Sequence, residues 1–409
     1  MDYYELLKIK AAELESKIFL RADDKIFTYA DFFNIVNQFN INRQHNERIL
    51  KIKSSSFIEQ AIVFFAAQKN EICPIILHGE TEIDEINPPE NNDILGVMTS
   101  GSTGKPKVLY RTYESWANFF PIQNQVFNVD RQSVIFIHGS LSFTGNLNVF
   151  LSILYAGGTV VTSNKFNCAH WLKLIDKCAV TTIYLVPTKL QLITKFNVEN
   201  RNVKMIFTGS QVLTESINKL LMKSFPAAQL ILYYGATELN YITYKIVNTN
   251  NISDVNNLGK AFKNVEVTIK DELIYVNNDY HVSGLAMPYT VGDVGHFDND
   301  GNLIFEGRGA DFINKGGYKI STLNVESKIR QIEGVADVSA LKVKDEQRGE
   351  NYYVFIVKDE RAEKLNINKK IRAQLKPVEQ PEQIIYIDEL PLNDRGKVDR
   401  QKLFCEYIK

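Results

Sequence analysis

The sequence predicts an α/β protein: a large N-terminal domain of β-sheets with flanking helices and a β-meander or barrel, and a small mobile α/β C-terminal domain. Two patterns support this fold class. Up to about Leu258, short strand-like runs alternate with helix-like segments, and beyond it short strands follow one another directly. The length of 409 residues is sufficient for two or three domains.

The first pattern consists of apolar runs with the length of buried strands, separated by segments with helical spacing. The runs occupy residues 133–137, 159–161, 182–186 and 203–207. Helical spacing occurs at residues 169–177 and 215–224. Strands that alternate with helices in this way are typical of a parallel sheet covered by helices. Ligands of such sheets bind at the carboxyl ends of the strands, so we expect the site there.

The second pattern is a series of short strands joined by turns. Residues 265–269, 272–276 and 303–306 have strand-like composition, and turn residues lie at 277–279 and 299–302. Residues 307–310 then interrupt the pattern, and the remainder is long enough for a separate small domain. We therefore predict one domain at residues 1–309 and a second at residues 310–409.

Composition and charge argue against several classes of protein. The formal net charge of −1 provides no overall field that would attract nucleic acid. The four cysteines form neither a C-x-x-C pair nor a zinc-type spacing, which favours reduced thiols in a cytoplasmic protein. The N-terminus lacks a signal-peptide pattern, and no apolar stretch of 18 residues predicts an integral membrane segment.

The most informative motif is a loop that follows the apolar run at residues 94–98. It is rich in hydroxyl groups, glycine and lysine, with Thr99, Ser100, Gly101, Ser102, Thr103, Gly104 and Lys107 as its candidate ligand-binding residues. Bare backbone N–H groups, hydroxyls and positive charge are the groups that bind a polyphosphate. The two glycines are only three positions apart, and Pro106 follows Lys105, so the loop is not a Walker P-loop. This spacing argues against an ordinary P-loop NTPase.

Further clusters carry nucleotide-binding chemistry. Tyr234 follows the apolar run at 230–232 and offers a flat face to a purine. Thr237 offers a hydroxyl, and Glu238 offers a hard oxygen ligand for Mg²⁺. Asp293 can accept hydrogen bonds from two ribose hydroxyls, and Arg308 can reach ribose or phosphate. Each cluster alone has a structural explanation as a turn or a surface charge.

A late loop at residues 390–400 places Lys397 directly after a glycine. In this order and at this spacing, the motifs together resemble the adenylate-forming superfamily, which includes acyl- and aryl-CoA synthetases, adenylation domains and luciferase-like ligases. The resemblance extends from residue 27 to residue 403. It implies that ATP and a carboxylic acid form an acyl-adenylate and pyrophosphate, and that a thiol then displaces AMP.

The resemblance also implies a role for each candidate residue. The loop after residue 98 would hold the β- and γ-phosphates. The other implied contacts are Gly209, Ser210 and Gln211 beside the base and the acyl pocket, Tyr234 and Gly235 at adenine, Asp293 and Arg308 at the ribose, Thr237 at the α-phosphate and Glu238 at Mg²⁺. Lys397 would be the adenylation lysine, and the C-terminal domain would carry it in and out by rotating about residues 308–311.

The acyl pocket is expected to begin within residues 137–146. Superfamily members that activate amino acids carry Phe-Asp there, whose carboxylate pairs with the substrate ammonium, whereas this chain has Phe143-Thr144. We therefore expect a neutral acyl or aryl acid, not an amino acid, with Ser142 and Phe143 near its tail. His138 either gates this pocket or is a strand-end histidine with a satisfied hydrogen bond.

The thiol acceptor has two candidates. CoA is expected, and the alternative is the phosphopantetheine arm of an acyl or aryl carrier protein in siderophore or natural-product biosynthesis. A non-catalytic nucleotide-binding regulator with the same fold is a rival from another class, but Glu238, Asp293 and Lys397 are all present. The expected ligands are thus ATP, Mg²⁺, a small carboxylic acid and a thiol.

Overall fold

A computed structural model describes the chain at residues 1–41, 48–79, 83, 86–99, 107–209, 213, 215–248, 254–345, 349–359, 362, 366–392 and 398–408. The strands in these ranges form four sheets. They are β1 (Ile18–Ala22), β2 (Lys25–Thr28), β3 (Ile49–Ile52), β4 (Cys73–Ile76), β5 (Asp93–Thr99), β6 (Lys107–Thr112), β7 (Val134–Ile137), β8 (Thr159–Thr162), β9 (Thr182–Tyr184), β10 (Met205–Gly209), β11 (Gln229–Ala236), β12 (Asn240–Val247), β13 (Lys260–Ala261), β14 (Glu266–Lys270), β15 (Leu273–Asn277), β16 (Asp293–Phe297), β17 (Leu303–Arg308), β18 (Phe312–Lys315), β19 (Tyr318–Ser321), β20 (Val335–Asp345), β21 (Gly349–Lys358) and β22 (Gln383–Ile387).

Helices cover the sheets. The α-helices in the described ranges are α1 (Tyr3–Leu14), α2 (Tyr29–Gln38), α3 (Phe57–Lys69), α4 (Glu114–Ala117), α5 (Phe120–Val126), α6 (Thr144–Ala156), α7 (Cys168–Lys177), α8 (Pro187–Thr194), α9 (Glu215–Ser224), α10 (Thr322–Arg330), α11 (Ile367–Gln374) and α12 (Arg400–Tyr407). Their starts follow local capping rules. Thr28 and Asp31 form a reciprocal capping box at the start of α2, and the side chain of Asn167 caps α7.

Sheet A is the largest and has nine strands in the order β13–β12–β11–β10–β9–β7–β8–β1–β2. The strands from β11 to β1 in this order are parallel neighbours, and β2, β12 and β13 add antiparallel edges. The residues of β8 and β9 are all buried, as parallel strands between two layers of helices require. On one face the core includes Phe150 of α6 and Phe207, and on the other it includes Trp171 of α7 and Ile183.

Sheet B has the order β3–β4–β5–β6, in which β6 is antiparallel to β5 and the other pairs are parallel. The glycine-rich loop connects β5 to β6. Thr99 and Lys107 are paired in register at its two ends, and residues 100–106 lie outside the described residues. Both ends of the glycine-rich loop therefore lie side by side, at the end of the β5–β6 pair in sheet B.

Two antiparallel sheets complete the chain. Sheet C is the meander β14–β15–β16–β17, and sheet D has the order β19–β18–β21–β20 with β22 parallel to β21. Sheet D packs on α10 and α11 through a separate core that includes Ile329, Val354 and Ile371. The predicted boundary between residues 309 and 310 falls in a 3-10 turn, Gly309–Asp311, and it stays a prediction.

The predicted fold class is confirmed. The apolar runs around 135, 160, 183 and 205 are parallel strands of sheet A, and the segment after Leu258 leads into the meander. The third run was predicted two residues too long, because β9 ends at Tyr184 and Val186 is already the N-cap of α8. No helix in the described ranges is long and apolar enough to cross a membrane. All four cysteines are free thiols.

Candidate active site

The carboxyl ends of β7, β9, β10 and β11 lie side by side, because these strands are parallel neighbours in sheet A. Gly209 at the end of β10 pairs in register with Tyr233, so Gly209 and Tyr234 lie at the same edge. Ser210 and Gln211 follow directly and lie outside the described residues. The edge at which ligands of parallel sheets bind thus carries several of the predicted positions.

Thr237 and Glu238 occupy the turn between β11 and β12, where Ala236 pairs with Asn240. A Cβ atom on Gly235 would lie 2.6 Å from the carbonyl oxygen of Asn240, so only glycine fits this reversal. Glu238 is half-buried, and its carboxylate has no hydrogen bond or ion pair with another described residue. Such a carboxylate is available to a cation.

Arg111 of β6 packs against this turn and is fully buried. Its guanidinium donates hydrogen bonds to the carbonyl oxygens of Thr237 at 2.7 Å and Tyr280 at 2.9 Å, and it lies 4.9 Å from the ring centroid of Trp116. Burial lowers the pKa of Arg111 to about 9, and the negative charge of Glu238 acts in the opposite direction. Arg111 thereby joins the strand after the glycine-rich loop to the Thr237–Glu238 turn.

Asp293, the first residue of β16, is 1% exposed and brings two other predicted residues together. Its carboxylate accepts hydrogen bonds from the phenol of Tyr234 and from Nε of Arg308, whose Nη2 lies at 3.4 Å. Asp293 also pairs with Arg308 in register across β16 and β17. Burial, followed by the negative charge of Asp293, raises the pKa of Tyr234, so its phenol stays a hydrogen-bond donor.

The predicted phosphate-binding residues are described only at the ends of their loop. Thr99 is half-buried and Lys107 is exposed, and both lie next to each other at the edge of sheet B. Ser100, Gly101, Ser102, Thr103 and Gly104 lie outside the described residues. Their assignment to phosphate stays a prediction.

The predicted acyl-pocket segment contacts sheet B. Ser142 and Phe143 precede α6, and both meet His78, which follows β4. The rings of His78 and Phe143 are 5.0 Å apart edge to face, and Nδ1 of His78 lies 3.4 Å from Oγ of Ser142. The side chain of Gln60 fixes the segment by accepting a hydrogen bond from the backbone N–H of Leu141 at 2.8 Å. Sequence analysis missed His78.

His138 at the end of β7 lies against α7 rather than against Phe143. Its ring centroid is 4.1 Å from that of Trp171, and its Nδ1 has no hydrogen-bond partner among the described residues. Its carbonyl oxygen accepts a 2.9 Å hydrogen bond from Nζ of Lys189. Burial, followed by the positive charge of Lys189, lowers the pKa of His138 to about 3, so the imidazole is neutral. A gating role for His138 stays a prediction.

Lys397 lies outside the described residues, but its flanks are described. Leu392 and Val398 form an antiparallel bridge on either side of the loop. Arg400, in the first turn of α12, donates from Nη1 to Oδ1 of Asp311 at 2.7 Å. The structure thus ties the end of the Lys397 loop to the segment predicted to be the hinge.

Two family profiles match the sequence. Residues 40–281 match the profile described as AMP-binding enzyme, and residues 324–397 match the profile described as AMP-binding enzyme C-terminal domain. The first match covers sheet B and strands β7 to β13 of sheet A, including the Thr237–Glu238 turn. The second ends at Lys397, and Asp293 and Arg308 lie between the two matches.

The chain is also similar to individual proteins. VraA of Staphylococcus epidermidis, provisionally named a long chain fatty acid-CoA ligase, is 25% identical over 425 residues, which cover 99% of this chain and 91% of that protein. YhfT of Bacillus subtilis, named an uncharacterized acyl-CoA ligase, is 27% identical over 333 residues, covering 77% and 68%. ATP-bound MatB from Rhodopseudomonas palustris has the same fold, with a TM-score of 0.83 at 16% identity and coverage of 99% and 100%.

Proposed function

Because this chain belongs to the AMP-binding enzyme family, we propose that it is an AMP-forming ligase that activates an acyl or aryl carboxylic acid with ATP and transfers it to CoA. One observation carries the proposal. Strand β11 and the turn after it carry the candidate nucleotide-binding residues. Tyr234 of β11 donates a hydrogen bond to Asp293, which also binds Arg308. The turn after β11 carries Glu238, and Arg111 donates to the carbonyl oxygen of Thr237 in that turn. A catalyst that joins an acid to AMP needs these groups around a single nucleotide.

The reaction has two steps. A carboxylate oxygen of the acid attacks the α-phosphorus of ATP, and the bond to pyrophosphate breaks with its electron pair. The thiol sulfur of CoA then attacks the acyl carbon, loses its proton, and AMP leaves. Both steps depend on positioning and on stabilisation of negative charge rather than on a covalent enzyme intermediate.

The nucleotide would be held from two sides. Thr99, Lys107 and the loop between them would bind the β- and γ-phosphates, and Thr237 the α-phosphate. Asp293 would bind the ribose. A carboxylate has about four acceptor sites, and Tyr234 and Arg308 already use three of those on Asp293. A ribose diol would therefore replace one of these donors, and release of Tyr234 would free its ring for adenine.

Glu238 fits a magnesium ligand, because its half-buried carboxylate is unused by other described residues. Mg²⁺ is commonly held by one or two carboxylates together with substrate phosphates, and no group of three acidic, His or Cys side chains in the described ranges is arranged for a metal. The ion would neutralise phosphate charge. Glu238 would orient it, and Arg111 would fix the turn that carries Glu238.

Lys397 would stabilise the charge that develops between the acid and the α-phosphate. We propose that residues 310–409 move as a unit between the two steps, with the turn Gly309–Asp311 as the hinge. We expect an acid other than an amino acid, because the described side chains that contact Ser142 and Phe143 are the imidazole of His78 and the hydroxyl of Ser140, neither of which is a carboxylate. The cytoplasmic location stays a prediction from the sequence.

Acid-dependent exchange of labelled pyrophosphate into ATP tests the first step. We expect exchange with one class of carboxylic acid, no exchange with amino acids, and loss of exchange in Glu238→Gln at equal folded protein. Release of AMP after addition of CoA, compared with addition of a phosphopantetheinylated carrier protein, then identifies the acceptor. ATP binding without exchange for any acid contradicts the proposal and favours a nucleotide-binding regulator.

A further inference from the structure

Lys189 is a half-buried ammonium group with no ion-pair partner among the described residues. It lies in the first turn of α8, and its Nζ donates one hydrogen bond, to the carbonyl oxygen of His138 at 2.9 Å. An ammonium group has three donors, so two are left without an acceptor in the described part of the chain. Burial lowers the pKa of Lys189 to about 8, with Cys168 acting in the opposite direction.

Gly139 leaves space beside the ammonium of Lys189, because it has no side chain. Its φ of +118° lies in the region that side-chain-bearing residues avoid. A Cβ atom built on Gly139 would lie 3.2 Å from Nζ of Lys189 and 3.2 Å from Nδ2 of Asn146. The absent side chain therefore leaves room between two nitrogen donors at the carboxyl end of β7.

Other polar atoms at this edge lack partners. Nδ1 of His138, Oγ1 of Thr144 and Oγ1 of Thr188 are buried without a hydrogen bond to a described residue. Thr144 begins α6 and Thr188 lies beside Lys189 in α8, so these atoms come from elements that meet beyond β7 and β9. Since buried polar atoms are normally paired, these atoms, which belong to segments that follow β7 and β9, are available to a ligand.

Two tyrosine side chains fill the space between the start of α6 and sheet A. The phenols of Tyr184 and Tyr233 are buried and hydrogen-bonded to each other at 2.9 Å. A Cβ atom on Gly145, in the first turn of α6, would lie 2.2 Å from the Tyr184 hydroxyl oxygen. The two phenols thus occupy the space between the start of α6 and the sheet, and they leave little room there for a long hydrocarbon tail.

We propose that the acid substrate carries a second anionic group, as a dicarboxylic acid does, and that the ammonium of Lys189 binds it. This inference rests on the proposed function and specifies its substrate class. One carboxylate would react with ATP at the Thr237–Glu238 turn, and the other would be held by Lys189 with Asn146 nearby. It departs from the neutral acid that the sequence predicts, because a half-buried cation with no counter-charge among the described residues favours an anion.

Pairs of acids that differ only in the second charge test this directly with the unmodified protein. We would measure kcat/KM for pyrophosphate release with malonic, succinic, glutaric, adipic and phthalic acids, each beside its monomethyl ester, and with hexanoic and benzoic acids. A charge-assisted hydrogen bond predicts a preference of about 10- to 100-fold for the diacid over its ester in at least one pair.

Lys189→Met provides the second readout, since methionine keeps the length of the side chain and removes its charge. In this variant we expect kcat/KM for the preferred diacid to fall about 10- to 100-fold, to the value of its monomethyl ester. The kcat/KM for the ester should stay within about threefold of its value in the unmodified protein. Lys195→Met is the matched control, because Lys195 lies exposed at the end of the same helix and should change neither value.

The outcomes separate the two proposals. Esters or monoacids that equal or exceed every diacid in the unmodified protein would overturn the role of Lys189 and leave the ligase function intact. A diacid preference that survives in Lys189→Met would do the same. Absence of acid-dependent pyrophosphate release for every acid in the series would instead contradict the proposed ligase function itself.

Discussion

The guanidinium of Arg111 donates a 2.7 Å hydrogen bond to the carbonyl oxygen of Thr237, which lies 126 residues further along the chain. This contact crosses from sheet B to sheet A and fixes the turn that presents Glu238. Arg111 is buried and forms no ion pair with a described carboxylate, so its charge depends on the carbonyls of Thr237 and Tyr280 and on the ring of Trp116.

We predict that Arg111→Met destabilises the protein by about 1–3 kcal/mol, because the carbonyls of Thr237 and Tyr280 lose their donor. The KM for ATP should also rise in the fraction that folds, because the Glu238 turn is no longer held. Denaturant unfolding and KM for ATP at saturating acid measure the two effects. Arg201→Met, at an arginine with 74% side-chain exposure, is the control. A folded Arg111→Met enzyme with unchanged KM would show that Arg111 acts on stability alone.

The contribution of Arg111 could not be predicted from its neighbourhood in the sequence. Residues 107, 109 and 111 share one face of β6, and Lys107 on that face is exposed, so the local pattern places Arg111 in solvent. A contact with a turn far along the chain buries it. His78 and Lys189 were missed for similar reasons, since each becomes informative only through a partner on another element.

The strands around the site could be predicted because their signal is local. The runs that became β7, β8, β9 and β10 are short and apolar, and Pro187 and Gly209 mark the carboxyl ends of β9 and β10. The pairing of β1 with β8 was not predictable, since Leu20 and Val160 are paired in register but lie far apart in the sequence. The candidate nucleotide-binding residues were assigned from the order of the motifs, since no single motif is informative, and their roles stay a prediction.

Lys397→Ala should separate the two half-reactions. Loss of the ammonium that we propose stabilises the adenylation transition state should lower pyrophosphate exchange about 100-fold or more. Thioester formation from chemically prepared acyl-adenylate and CoA should persist, because Lys397 would have moved away for that step. Lys402→Ala, at an exposed lysine of α12, should leave both steps unchanged. Equal losses in both half-reactions would contradict the assigned role.

His138 should make stability depend on pH. Its pKa is about 3 in the folded protein and about 6.5 when unfolded. Between these values the unfolded chain binds a proton that the folded protein does not, so stability falls as pH falls, by at most about 1.4 kcal/mol per pH unit. His138→Phe keeps a ring against Trp171 and should remove this part of the slope.

Urea unfolding at pH 4.5 to 6.5 measures the difference between the two slopes. At pH 7.5 to 8.5 both states carry a neutral imidazole, so the slopes of the two proteins should coincide there and serve as the internal control. Parallel slopes throughout the acidic range would show that the imidazole is protonated in the folded protein, which its packing against Trp171 and its buried Nδ1 argue against.

Arg400 should couple the Lys397 loop to the hinge. Its guanidinium contacts Asp311 at 2.7 Å and Glu326 at 3.7 Å, and Glu326 is buried. Burial raises the pKa of Glu326, and the charges of Arg330 and Arg400 oppose that rise. Removal of Arg400 leaves a buried carboxylate less compensated, so Arg400→Met should destabilise the protein by about 1–2 kcal/mol, a value reduced because Arg400 is 41% exposed.

The same variant should affect the chemistry selectively. Since Arg400 holds the start of α12 to Asp311, its loss should lower pyrophosphate exchange more than thioester formation from acyl-adenylate, by about tenfold if the contact is worth the 1.4 kcal/mol that this factor represents. Lys402→Met on the same helix removes only an exposed pair with Glu406 and should change neither rate. Equal effects of Arg400→Met on both half-reactions would mean that the contact stabilises the C-terminal domain without positioning Lys397.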